Sequence, residues 1–150
     1  MYQEQLNEIR RWRAEHGERM QPPSTEEGLT LLRRRAAHDL GTDVPPAYLD
    51  FLRLTNGLDW NGLVIYAGHT APIPDQPATA IEGFVDATLG WREFPAVSRL
   101  LFFGESGDRL YAYDPPSGSF QVRDRQSDSI LETHPSFDSL IAAALEAHQL

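Results

Sequence analysis

Residues 44–66, VPPAYLDFLRLTNGLDWNGLVIY, constrain the fold of this chain more than any other stretch. They read as a short helix, a stop and a hairpin. Pro45 and Pro46 suit a helix start, where a missing N–H leaves no hydrogen bond unmade. Tyr48, Phe51, Leu52 and Thr55 then fall at i, i+3, i+4 and i+7, a mostly apolar helix face. Asn56-Gly57 ends the helix, with Gly57 suited to a left-handed C′ position. Asn61-Gly62 stands between the apolar runs Leu58-Asp59-Trp60 and Leu63-Val64-Ile65-Tyr66. That dipeptide between such runs is the strongest short hairpin signal, because both turn residues need positive φ. A helix feeding into a hairpin predicts an α+β fold, a single domain with helices packed on an antiparallel sheet.

The remaining chain extends that pattern. Residues 2–17 carry Tyr2, Leu6 and Ile9 on one helical stripe, with Trp12 alongside as a core or groove anchor. Ser24 and Glu27 form a capping-box pattern ahead of a helix that carries Leu29, Leu32, Ala36 and Leu40. Arg33, Arg34 and Arg35 point about 100° apart on that helix, so they read as a solvated face, with Asp39 in reach of Arg35. Residues 67–79 contain Pro72, Pro74 and Pro77 and predict an irregular loop. Residues 80–91 predict a helix through Ile81, Phe84, Val85 and Leu89. Four strands follow, at 100–103, 110–114, 119–125 and 129–133, joined by short turns into a meander. In the third of these, Phe120 and Val122 alternate with Gln121 and Arg123, predicting a polar sheet face there. Ser136 opens a final helix with Phe137, Leu140, Ile141, Ala144 and Leu145 inward.

Three elements in this order resemble the SUKH superfamily. The first is Val44, Pro45, Tyr48, Phe51, Leu52, Asn56 and Gly57, similar to an "LP-x-x-Y-x-x-FL-x-x-x-NG" element, with Val44 in place of the usual Leu. The second is the turn Gly104-Glu105-Ser106-Gly107-Asp108 followed by Tyr111-Ala112-Tyr113-Asp114-Pro115-Pro116-Ser117-Gly118. The third is the Ser136-Phe137 helix start. The likeness covers residues 44–150, is closest in wording to the YrhA-like branch, and leaves 1–43 as an unmatched helical segment of the same domain. It implies a cytoplasmic bacterial immunity protein without catalysis, which binds and neutralises a cognate polymorphic or contact-dependent toxin by masking its active site. The fungal branch implies an alternative, an intracellular regulatory interaction module.

Charge bears on that expectation. The formal net charge is −9, which disfavours a nucleic-acid phosphate backbone and favours a basic protein partner. There is no cysteine, so disulfides and thiolate metal sites are excluded. The start shows no basic-then-apolar leader and no apolar run is long enough to span a bilayer, so neither secretion nor a membrane is expected. The five histidines, His16, His38, His69, His134 and His148, match no zinc spacing. No cofactor, metal or catalytic constellation is expected. Glu105 and Asp108, the one local acidic pair of note, read as turn residues rather than an acid/base couple. For partner binding the candidates are Asp59 and Trp60 beside the hairpin with Glu105 and Asp108 at the neighbouring turn, an aromatic residue flanked by carboxylates.

Overall fold

The computed structural model describes residues 1–149, with Pro77 by its backbone alone. Three helices come first: α1 (Gln3–Glu15), α2 (Glu26–Leu40) and α3 (Pro46–Leu54). They are followed by β1 (Leu58–Trp60), β2 (Leu63–Ile65), β3 (Ala71–Ile73), β4 (Gln76–Ile81) and α4 (Phe84–Trp91). The chain finishes with β5 (Leu101–Glu105), β6 (Arg109–Asp114), β7 (Ser119–Asp124), β8 (Ile130–His134) and α5 (Phe137–Ala147). Six strands form one antiparallel sheet in the order β1-β2-β5-β6-β7-β8, while β3 and β4 pair separately as a two-stranded hairpin. The fold is α+β.

The predicted hairpin is present. Asn61 and Gly62 both have positive φ, 47° and 86°, and Asp59 faces Val64 across the pair. The register lays out whole rows across the sheet. One row reads Leu58, Ile65, Gly104, Tyr111, Val122 and Glu132. The next reads Asp59, Val64, Glu105, Leu110, Arg123 and Ile130, and faces the other way because strand side chains alternate.

The first face carries the main core. Tyr48 and Phe51 of α3 and Phe137 of α5 meet there around Phe103, whose ring lies 5.2 Å from Tyr48 and 5.1 Å from Phe137. Phe103 reaches this cluster because the β5–β6 register shifts between Phe102 and Gly104. Such a bulge breaks strict alternation and re-aims a side chain. Tyr48, fully buried, donates its hydroxyl to the Tyr66 carbonyl at 2.6 Å, which pins α3 to the end of β2. Asn56 ties three segments together. Its Oδ1 accepts from Ser24 Oγ and from the Gly68 N–H, each at 2.8 Å.

Four expectations change. Ser24 is not the cap of α2; Thr25 is, accepting from the Gly28 N–H at 3.0 Å, while Ser24 serves the Asn56 clamp. Residues 67–79 are not all loop, since Ala71 pairs with Ile81 in the small hairpin. Proline is tolerated there because the hairpin is only two strands wide, so each strand has an outer edge free of partners. Ile81 therefore belongs to a strand, and α4 starts at Phe84 after Gly83. The polar face of β7 is not open to solvent. Gln121 and Arg123 are buried, with Arg123 Nε donating to Gln121 Oε1 at 2.8 Å and Nη1 to the Asp128 carbonyl at 2.9 Å.

An ion pair joins α2 to α4. Arg35 Nη2 lies 2.5 Å from Asp86 Oδ1, and Asp39 also accepts from Arg35 at 3.3 Å. Thr70 donates to the second Asp86 oxygen at 3.0 Å. The hydrogen bond from Arg35 holds the Asp86 carboxyl below the usual carboxylate range, against the opposing effect of burial. A carboxyl lowered on folding stabilises the protein above its unfolded pKa of about 3.9. That contribution is lost as pH falls through the lowered folded value. Both side chains are more than a third exposed, so solvent screening limits the contribution to under about 1 kcal/mol. Asp86→Asn is expected to lower stability slightly at neutral pH and to flatten its pH dependence below about pH 4. Denaturant melts from neutral pH to about pH 2.5 check this; identical acid slopes for the two proteins would refute it.

Candidate binding surface

The four residues singled out from sequence do not form one exposed patch. Asp59 and Glu105 share a sheet face, with Val64 between them in the row. Trp60 follows Asp59 on β1, so it points to the opposite face. It is 8% exposed and stands edge-on to Trp12, ring centroids 5.2 Å apart and planes at 80°. The Arg13 guanidinium lies 5.5 Å from the Trp60 centroid and donates to the Asp59 carbonyl. Trp60 is thus a core residue under α1, not an exposed aromatic between carboxylates.

Glu105 is the last residue of β5 rather than part of the turn. Its Oε2 accepts from the Tyr66 hydroxyl at 2.8 Å, and the Tyr66 oxygen accepts from Trp91 Nε1 at 3.0 Å. Arg125 completes the group, 4.0 Å from Glu105 and 5.4 Å from the Trp91 centroid. Burial raises the Tyr66 pKa, and the charge of Glu105 adds to it, so the phenol stays protonated and donating. Glu105 therefore braces β2 and α4 against the sheet. Asp108 sits in the turn before β6, 83% exposed and 3.9 Å from Arg109. Among the described residues no group of three or more His, Asp or Glu is placed to hold a metal ion.

A different site emerges where α1, α5 and β1 meet. A cavity of about 300 Å³ opens there, with Ile9, Trp12, Trp60 and Leu145 as its apolar lining and Gln5 and Glu8 on its rim. Its walls are tied together. Gln5 Nε2 donates to the Ala142 carbonyl at 3.3 Å, joining α1 to α5. Asn61 Nδ2 donates to the His148 and Gln149 carbonyls at 2.8 and 3.2 Å, joining the hairpin turn to the end of α5. A second depression of about 300 Å³ lies across the Trp12–Trp60 pair, bounded by Arg13, Glu18, Asp59 and Ile73.

The helix α1 beside this site carries exposed charge of both signs, with Arg11 on the same side of the helix as its glutamates. Glu4, Glu8 and Glu15 recur at i, i+4 and i+11 on α1, which keeps them on one side of the helix. All three are exposed, as is Glu146 on α5. Neither these four nor Glu18 and Asp59 make an ion pair among the described residues. By contrast, Arg19, Arg35, Arg53, Arg99, Arg109 and Arg125 each sit within 4.0 Å of a carboxylate. On α1 itself Arg10, Arg11 and Arg13 balance the three glutamates, so what stands out beside the two tryptophans is Glu8, a lining carboxylate without an ion pair among the described residues.

Sequence reasoning treated Trp12 only as an anchor. The signal for more was its place at the border of the α1 stripe, three residues after Ile9, where a large ring ends up half-buried. No protein-family model matches the chain, and no curated protein is similar to it.

Proposed function

We propose that this chain is a non-catalytic immunity protein that binds a basic bacterial toxin and masks its active site. The observation that carries the reading is the Trp12–Trp60 groove with Glu8, a carboxylate without an ion pair among the described residues, in its lining. Buried aromatic area supplies affinity in such interfaces, while like charge gathered on one face raises the encounter rate with a partner of opposite sign. The sequence elements similar to SUKH proteins point the same way.

The test is protection in cells and kinetics in solution. Where the product of the adjacent gene arrests growth, co-expression with this chain is expected to restore it. The purified pair is expected to associate more slowly as salt rises from low to physiological ionic strength, because a Debye length of about 10 Å or less screens exposed charge. A chain with Glu4, Glu8 and Glu15 changed to lysine is expected to lose about tenfold or more in association rate while keeping its circular dichroism spectrum. Growth that stays arrested on co-expression would overturn the proposal. An association rate indifferent to salt would leave no role for the exposed carboxylates.

A further inference from the structure

We infer that the groove between α1 and α5 receives an arginine or lysine side chain carried by a segment of the partner protein. This rests on the reading of the chain as a protein-binding module and names the chemistry that the groove selects.

The argument starts from what lines the space. Two indoles and the aliphatic side chains Ile9 and Leu145 give an apolar bed for the methylene stem of a long cationic residue. Glu8 on the rim offers a carboxylate with no ion pair of its own among the described residues. A cation gains from both at once: the indole attracts it through the ring quadrupole, and the carboxylate takes its hydrogen bonds. About 300 Å³ accommodates one such side chain with its neighbours' backbone, not a folded domain.

The molecule already uses this pairing on the other side of the same tryptophan pair. Arg13 sits 5.5 Å from the Trp60 centroid and bounds the second depression. Its Nη1 donates to the Arg19 carbonyl at 3.3 Å and its Nη2 to the Asp59 carbonyl, so it is fixed there by the chain itself. That depression therefore contains its own cation. The α1–α5 groove has the same indoles, and none of the described residues lining it is basic. Arg11 lies on the same side of α1, seven residues after Glu4, so the preference for a cation rests on the Glu8 carboxylate and the indoles at the groove itself and not on a field along the helix. A second copy of this chain fits poorly, because two chains that each carry a net charge of −9 repel one another.

The three tryptophans make a direct test with the full chain and without the toxin. The ¹⁵N-labelled protein is titrated with the probe peptide acetyl-(Gly-Arg)₄-amide, and in parallel with its citrulline counterpart, which keeps the shape but not the charge. The indole N–H signals of Trp12 and Trp60 are expected to shift to saturation with the arginine peptide and to stay in place with citrulline. Trp91, whose Nε1 is held by Tyr66, serves as the reference and is expected not to move. Glu8→Gln, on an exposed rim, is expected to weaken the arginine peptide by about two- to fivefold with no change in the spectrum of the free protein. The inference falls if the arginine peptide leaves Trp12 and Trp60 unmoved at millimolar concentration, if citrulline shifts them equally, or if Glu8→Gln binds as tightly as the parent. It also falls if the two signals shift with protein concentration alone, since a second copy then fills the groove. Peptide binding with no rescue of growth would remove the toxin reading and leave the groove assignment standing. Rescue without any peptide-induced indole shift would do the reverse.

Discussion

Phe51→Ala is expected to cost about 3–5 kcal/mol of folding stability, a large part of the 5–15 kcal/mol typical of a domain. For a chain of this length that is a fall in Tm of roughly 6–20 °C. Phe51 is wholly inaccessible to solvent. Its ring lies 5.6 Å from Tyr2 and 6.1 Å from Phe137, and the neighbouring Tyr48 ring lies 5.8 Å from Phe137. The side chain therefore joins the segment leading into α1, together with α3 and α5, to a single point over the sheet. The alanine cavity cannot close by moving one element, because the other two are anchored elsewhere. Gln5 holds α1 to α5, and Tyr48 holds α3 to β2. Phe51→Leu keeps most of the volume and is expected to cost under about 1.5 kcal/mol. Leu54→Ala, at a position 38% exposed on the same helix, serves as the control and is expected to change little. Urea melts of the four proteins decide the matter. An alanine variant within 1 kcal/mol of the parent would mean that α3 does not pack as described.

The parts of this fold that were legible in the sequence are those whose signals are local. Pro46 at the first turn of α3, the i, i+3, i+4 spacing of Tyr48, Phe51 and Leu52, and the Asn61-Gly62 turn each act within a few residues. The meander of β5 to β8 was legible for the same reason, since its connections are short. What was missed depends on pairing between distant segments. Ala80 and Ile81 carry a helical pattern, yet their partners Pro72 and Ala71 draw them into a strand. Gln121 and Arg123 look like a polar sheet face from sequence, yet both are buried, with Arg123 closing on Gln121 and on the Asp128 carbonyl. The site failed on a point that strand geometry could have caught. Asp59 and Trp60 are consecutive in β1, so they cannot share a face. The groove that replaces that patch was beyond any local pattern, because it exists only where Gln5 meets Ala142 and Asn61 meets His148.

Gly104→Ala is expected to be as damaging as the loss of a core ring, although it adds only one methyl group. A Cβ built at Gly104 lies 2.4 Å from the Val64 carbonyl oxygen and 3.1 Å from Ile65 Cδ1. The first contact is with backbone of the adjacent strand, which cannot swing aside as a side-chain tip would. Relief requires β2 to move away from β5. That junction is narrow: only Val64 with Glu105 and Ile65 with Gly104 are in register, helped by the Tyr66 N–H donating to the Phe103 carbonyl at 2.8 Å. Separating the strands therefore loosens the whole β1–β2 hairpin, and with it Trp60 and one wall of the groove. A loss of about 3 kcal/mol or more is expected, at the upper end for overpacking. Gly90→Ala provides the contrast, because it lies in the exposed part of α4 with open space around its Cβ position. Relieving the glycine entropy there is expected to stabilise the protein by about 0.5–1 kcal/mol. The pair separates a general aversion to substitution from a specific steric clash. If Gly104→Ala folds as stably as the parent and leaves the Trp60 indole signal in place, β2 is not held against β5 as described, and the groove loses the wall that the hairpin supplies.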